Sequence, residues 1–183
     1  GIIMRSGQAH IKLNASGDII WASELDATNG ARTIQGPIAV NGGYIFEARQ
    51  NDQSFLYKLN ESGRLLWQTE SFTATGESGS ISSMKNQDIA FTYLYPEAEQ
   101  TYPCFALFSP NGDLVAHQQF NTEIPLLSKT VYQSIYEDET LAVAGNADPL
   151  SKDGVDAVNF LLQFSMDTPL DECFAIRDYS IYE

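Results

Sequence analysis

The chain has 183 residues, 43% of them hydrophobic, and a formal net charge of −14 from 24 Asp and Glu against 10 Lys and Arg. That length suffices for one ordinary buried core, and no apolar run reaches the roughly 18 residues that span a bilayer. The acidic surface argues against nucleic acid and anionic lipid as partners, because both repel it.

Taken in order, the chain opens on Gly1-Ile2-Ile3-Met4-Arg5. This lacks the charged-then-apolar layout of a signal peptide and reads as the inside of a strand. An excised or processed piece of a longer protein is the expectation. Lys12-Leu13-Asn14-Ala15-Ser16-Gly17-Asp18-Ile19-Ile20-Trp21 follows, and returns as Lys58-Leu59-Asn60-Glu61-Ser62-Gly63-Arg64-Leu65-Leu66-Trp67. Lys, Leu, Asn, Ser, Gly and Trp recur in place, with an apolar pair kept before Trp. Self-similarity at a period of about 40 to 50 residues marks a repeat architecture.

The best-defined copy predicts four strands. Arg32 to Val40 is an extended run closed by Asn41-Gly42-Gly43, where Asn-Gly between apolar runs signals a hairpin because both residues tolerate positive φ. Tyr44 to Ala48 returns, Ser54 to Leu59 is the third strand, and Arg64 to Thr69 the fourth. In the next copy the strands are Ser80 to Met84, Ile89 to Tyr95, Cys104 to Phe108 and Asp113 to Gln119, with Ala116 in the Trp position. A looser copy uses Thr130 to Tyr136, Leu141 to Gly145, Asn159 to Phe164 and Glu172 to Ile176. Gly1 to Met4 matches Gly43 to Phe46, so the chain enters at a second strand, and Asp178 to Glu183 reads as the first strand of a further unit. Helical periodicity is nowhere sustained. Consecutive apolar residues such as Phe55-Leu56-Tyr57 fit strands covered on both faces.

Four-stranded repeats of this length are those of a β-propeller. The expected fold is all-β: one propeller domain over 1–183 with about three and a half to four antiparallel blades, part of a larger ring. The approximate units are 1–24, 31–70, 79–120, 128–177 and the start of another at 178–183.

Gly-Gly-Tyr-Ile followed by Leu-Tyr-Lys-Leu-Asn-x-x-Gly-x-Leu-Leu-Trp resembles the tandem propeller repeats of bacterial secreted and cell-surface proteins. It is distantly similar to the quinoprotein (PQQ-type) propeller, whose Gly-x-x-x-Trp segment docks one blade on the next. The resemblance is sharp at 1–21 and 41–67. It implies that Trp21 and Trp67 wedge between neighbouring blades, each burying a large ring while its indole N–H finds a carbonyl. It also implies an extracellular, cell-surface or periplasmic setting.

Candidate chemistry is sparse. His10 and His117 have no companion at ligand spacing and read as structural or exposed. Gly76-Glu77-Ser78-Gly79-Ser80 fails as a nucleophile elbow in its last position and in its context. The sequons at Asn14 and Asn60 are the repeat's own turn. Cys104 and Cys173 read as small buried hydrophobes, with spacing that does not by itself support a disulfide. The connection between second and third strands lengthens along the chain, and long loops on a rigid scaffold carry function. At 95–103, Tyr95, Glu97, Glu99 and Tyr102 mix aromatics with acids, as ligand-binding surfaces do. At 146–156, Asp148, Asp153 and Asp156 offer hard oxygens to Ca²⁺; no other cofactor is expected. The function read from this is a non-catalytic scaffold or binding module for a protein or glycan partner. A homo-oligomer or additional blades would complete its ring. The alternative is an enzyme with a site in the central funnel, glycan-active or quinone-dependent, although no residue matches the quinone-binding pattern.

Overall fold

The computed structural model describes residues 1–6, 9–24, 31–51, 53–97, 100–119, 126–135, 140–149 and 158–165. The described residues are all-β, without a helix, in three antiparallel sheets. The first sheet comprises β1 (Ile2–Ser6), β2 (Ala9–Leu13) and β3 (Ile19–Glu24). The second holds β4 (Arg32–Val40), β5 (Gly43–Gln50), β6 (Gln53–Asn60) and β7 (Leu65–Gln68), with the short β8 (Phe72–Thr73) also paired to β6. The third contains β9 (Thr75–Ser83), β10 (Ile89–Glu97), β11 (Gln100–Phe108), β12 (Leu114–Gln119), β13 (Leu126–Ile135), β14 (Thr140–Pro149) and β15 (Val158–Ser165).

Local chemistry explains why the repeated decapeptide is a turn. The Asn60 side-chain oxygen accepts from the backbone N–H of Ser62 and of Arg64, both at 2.9 Å. Asn14 does the same for Ser16 and Asp18, and Ser109 serves with its hydroxyl for Asn111 and Asp113. Such side chains imitate a backbone turn and so fix its position. Gly17, Gly63 and Gly112 each close it at φ of +88°, +80° and +90°, where a β-carbon is disfavoured. After each turn the fourth strand carries a β-bulge: Leu13 pairs Ile19 and Lys12 pairs Trp21, leaving Ile20 over. Leu66 and Val115 are left over in the same way. The bulge twists the outer strand and blunts its free edge, while the apolar pair before each Trp position stays exposed.

Register shows that the units are equivalent. Ile2 pairs Leu13, Tyr44 pairs Leu59, and Ile89 pairs Phe108. Alternation then sends Phe46, Ala48, Phe55, Tyr57 and Leu59 toward the first sheet, where Ile3 and Trp21 pack on them. Ile45 and Leu56 point the other way into a larger core with Ile81, Ile89, Phe91, Tyr93, Cys104, Ala106 and Phe108. The second sheet is covered on both faces, which is why β6 reads as a continuous apolar run. β9 lies beside β4 and β13, so the first strands of successive units are neighbours.

The hairpin turn after Val40 is present, with positive φ at Gly42 and not at Asn41, so Gly alone supplies the left-handed residue. Three expectations are corrected. The stretch 95–103 is mostly strand: Tyr95 pairs Tyr102, Pro96 pairs Thr101 and Glu97 pairs Gln100, leaving 98–99 between them. Residues 146–149 likewise continue β14, paired to β13 up to Leu126↔Pro149. Finally, the third and fourth units share one sheet through Thr101↔Leu126. The physical reason is that β12 stops pairing β11 at Cys104, so the extended start of β11 has an open edge, which β13 takes.

Candidate functional site

Two inter-unit seams carry the polar and aromatic side chains of interest. At the first, the Trp21 indole N–H donates to the Glu61 carbonyl at 2.8 Å. Its ring covers Gly63, where an added β-carbon would stand 2.6 Å away. Lys12 bridges to the Glu61 carboxylate, which also accepts from the Tyr44 hydroxyl at 3.1 Å. The pairing holds Lys12 above its usual pKa and Glu61 below. Deeper in, His10 Nε2 lies 2.8 Å from the Tyr57 hydroxyl and 3.0 Å from Thr33 Oγ1, with its ring 4.3 Å from that of Phe46. Burial lowers the His10 pKa, against an opposing backbone contact at Ser23. His10 is sealed, and its role is packing and hydrogen bonding.

The second seam repeats this plan. Trp67 donates to the Pro110 carbonyl at 3.0 Å and covers Gly112. Glu47, fully buried, accepts from the Ser54 hydroxyl at 2.9 Å and from the Gly79 backbone N–H at 3.1 Å. Burial raises its pKa, partly offset by those two hydrogen bonds and by Arg49. Lys58, the counterpart of Lys12, is buried, and burial lowers its pKa; Pro110 holds the sequence position that Glu61 holds in the copy before.

This seam also opens into a cleft of about 550 Å³, lined by residues 68–72, Tyr93, Ala106, Phe108, residues 112–114 and His117. Alternation along β10 places Phe91, Tyr93 and Tyr95 on one face. Phe91 and Tyr93 stack at 5.4 Å, and Phe72, held by the short β8, tilts against Tyr93 at 4.8 Å. The Tyr93 hydroxyl lies 2.8 Å from His117 Nε2. Burial raises the Tyr93 pKa and lowers that of His117, whose outer side is exposed. Cys104, directly opposite Tyr93 across the strand pair, has its thiol pushed up to about 12 by burial, against a hydrogen bond from Tyr93. Tyr93 and Cys104 are buried and spent within the protein, so the group offers a ligand the half-buried Phe72 ring and the exposed His117 imidazole, and its thiol is not activated. Glu70 and Asp113 add carboxylates at the mouth.

No described protein family matches the chain, and no curated protein matches it.

The residues singled out from sequence are distributed as follows. Tyr95 and Tyr102 face each other across β10 and β11, both half-buried, and Tyr95 packs on the larger core beside the cleft. Glu97 has a place in the β10 register, opposite Gln100; Glu99 lies outside the described residues. Asp148 pairs with Leu127 in β14, whereas Asp153, Asp156 and Cys173 lie outside the described residues. Cys104 is buried with a free thiol. Among the described residues no three His, Cys, Asp or Glu side chains converge as a metal site. Sequence reasoning missed the cleft itself. One signal was present, the period-two run Phe91-x-Tyr93-x-Tyr95, which puts three aromatics on one face of a strand. Another was His117 beside Ala116, where the two earlier copies carry Trp21 and Trp67.

Proposed function

We propose that the chain is a stretch of β-propeller, about four blades of a larger ring, and serves as a non-catalytic binding module of a bacterial secreted or cell-surface protein. It takes a protein or glycan partner at the cleft between the second and third units. The observation that carries this reading is the repeated seam: a tryptophan of one unit lies over the turn glycine of the next, with its indole on the carbonyl two residues before that glycine, at Glu61 and again at Pro110. Repeated seams of this kind stack sheets around an axis, and the neighbouring first strands β4, β9 and β13 fit the inner edge of such a stack. The cleft supports binding over catalysis because its aromatics and hydrogen-bonding groups lack an activated nucleophile. Sugars and peptide side chains both offer faces for Phe72 and hydrogen-bonding groups for His117, Glu70 and Asp113. Asp148, Asp153 and Asp156 stand as a Ca²⁺ proposal beside this one.

The test is a glycan array and a peptide library probed with the intact protein, with hits measured again on Phe72→Ala and His117→Ala. A hit weakened at least tenfold by both substitutions, with the unfolding midpoint little changed, supports the reading. Hits indifferent to both, or turnover of the same glycans or peptides at ordinary enzymatic rates, refute it.

A further inference from the structure

The first sheet has one face that its counterparts do not leave open. Ile2 and Met4 are 61% and 43% exposed, whereas Ile89 and Phe91, in the same register, are 1% and 0% exposed. In the second unit the matching pair is Tyr44 and Phe46. Tyr44 is half-buried beside Trp21, and Phe46 is fully buried beneath His10. In each case the cover comes from the unit before. The turn tells the same story. A β-carbon on Gly63 would meet the Trp21 ring and one on Gly112 the Trp67 ring, but one on Gly17 would meet nothing within 4 Å. Gly17 nevertheless keeps the turn, the left-handed φ of +88° and the Asn14 side-chain bonds of the occupied copies. The Ala15 carbonyl stands where those of Glu61 and Pro110 receive an indole.

We propose that this face, formed by Ile2, Met4 and the turn at Ala15 to Gly17, docks one further repeat of the same kind, whose fourth strand lays a tryptophan over Gly17. The inference rests on the stacked-repeat part of the proposed function and is independent of the cleft. Continuity with the two observed seams selects the occupant. A second copy of the chain is a poor one, because the sequence has two tryptophans and both are engaged within it. A repeat bearing its own tryptophan would also supply a first strand to pair with the free edge of β1, since Ile2 corresponds to Ile89, which follows such a strand.

A second copy of residues 31–87 placed before Gly1 creates this arrangement, because Gly1 then takes the place of Asp88 after the β9 hairpin turn. The expected result is a chain more stable than the parent, with slowed amide exchange at residues 2–5. Gly17→Ala should then lower the unfolding midpoint of the extended chain as much as Gly63→Ala does, and that of the parent by less than half as much. An extended chain no more stable than the parent, or an equal effect of Gly17→Ala in both chains, overturns the proposal. A parent chain that sediments as a dimer and becomes monomeric on Met4→Lys overturns it in favour of a second copy. Failure of the stacked-repeat reading is distinguishable: Gly63→Ala would then cost no more than Gly17→Ala in the parent itself.

Discussion

Three glycines at one repeat position separate backbone strain from side-chain packing. Gly17, Gly63 and Gly112 have φ of +88°, +80° and +90°, so alanine at any of them bears the same left-handed penalty, about 1–2 kcal/mol. At Gly17 that is the whole cost, because the new methyl meets nothing. At Gly63 and Gly112 it would lie 2.6 and 2.8 Å from a tryptophan ring, where carbon atoms rest at about 3.5–4.0 Å. The ring must retreat by about 1 Å, which strains a packed seam by roughly 1–3 kcal/mol. The same movement stretches the indole bonds of 2.8 and 3.0 Å to Glu61 and Pro110, each contributing about 1 kcal/mol. Gly63→Ala and Gly112→Ala should therefore cost about 3–6 kcal/mol in all, against about 1–2 kcal/mol for Gly17→Ala. Urea unfolding followed by tryptophan fluorescence measures this directly, and the emission of Trp21 or Trp67 should shift in the variant that displaces it. If all three variants lose the same stability, the tryptophans are not seated on the glycines and the seam argument fails.

Other substitutions probe the same seams. Trp67→Ala should cost about 3–5 kcal/mol in urea unfolding. Trp67→Phe should cost only about 1–2 kcal/mol, since it keeps a ring over Gly112 and loses the bond to Pro110. Glu47 has a folded-state pKa raised above its ordinary 4.5 by burial. Its contribution is complete below pH 4.5 and is lost as pH rises through the folded value; stability curves of wild type and Glu47→Gln should diverge over that interval and run parallel elsewhere. His10 behaves in the opposite sense. Its pKa is lowered from 6.5, so its contribution is complete above pH 6.5 and fades as pH falls toward the folded value; His10→Gln should remove that acid-side loss in the same measurements. Pro110→Glu gives Lys58 the carboxylate that Glu61 gives Lys12, and the Lys58 pKa, followed by NMR, should rise. An unchanged titration would show that the side chains at the two seams are not equivalent.

How much of this could be read from residues alone depends on the range of the interaction. The turns were legible because Asn14 and Asn60 act on backbone two and four residues away, within the span of the repeated decapeptide. Strand cores such as Arg32 to Val40 were legible for the same reason. Strand ends were not, because the extension of β10 to Glu97 and of β11 back to Gln100 depends on cross-strand partners, and β8 exists by pairing with β6. The cleft was still less accessible. Phe72 and Tyr93 meet across a seam between two sheets, and neither sequence context announces the other.

The seams also show how a repeat can keep its architecture while its sequence drifts. Arg5, Glu47 and Thr92 occupy one register position, on the face turned toward the following unit. Arg5 donates to the Thr33 carbonyl at 2.7 Å. Glu47 does the reverse job, accepting from the Gly79 backbone N–H at 3.1 Å. Both tie a second strand to the next unit's first strand, one with a guanidinium and one with a carboxyl group, because a backbone offers a donor and an acceptor alike. At the two tryptophan seams the position reaches a neighbouring strand through either a donor or an acceptor, whereas the Thr92 hydroxyl, buried at the same position, has no hydrogen-bond partner among the described residues. Such a rule leaves no identity for a comparison of sequences to find. What recurs at the two tryptophan seams is a flat ring over a residue without a β-carbon at positive φ. Trp21 with Gly63 and Trp67 with Gly112 satisfy that condition, and it is the same spacing of Gly and Trp that makes the decapeptide recognisable as a repeat.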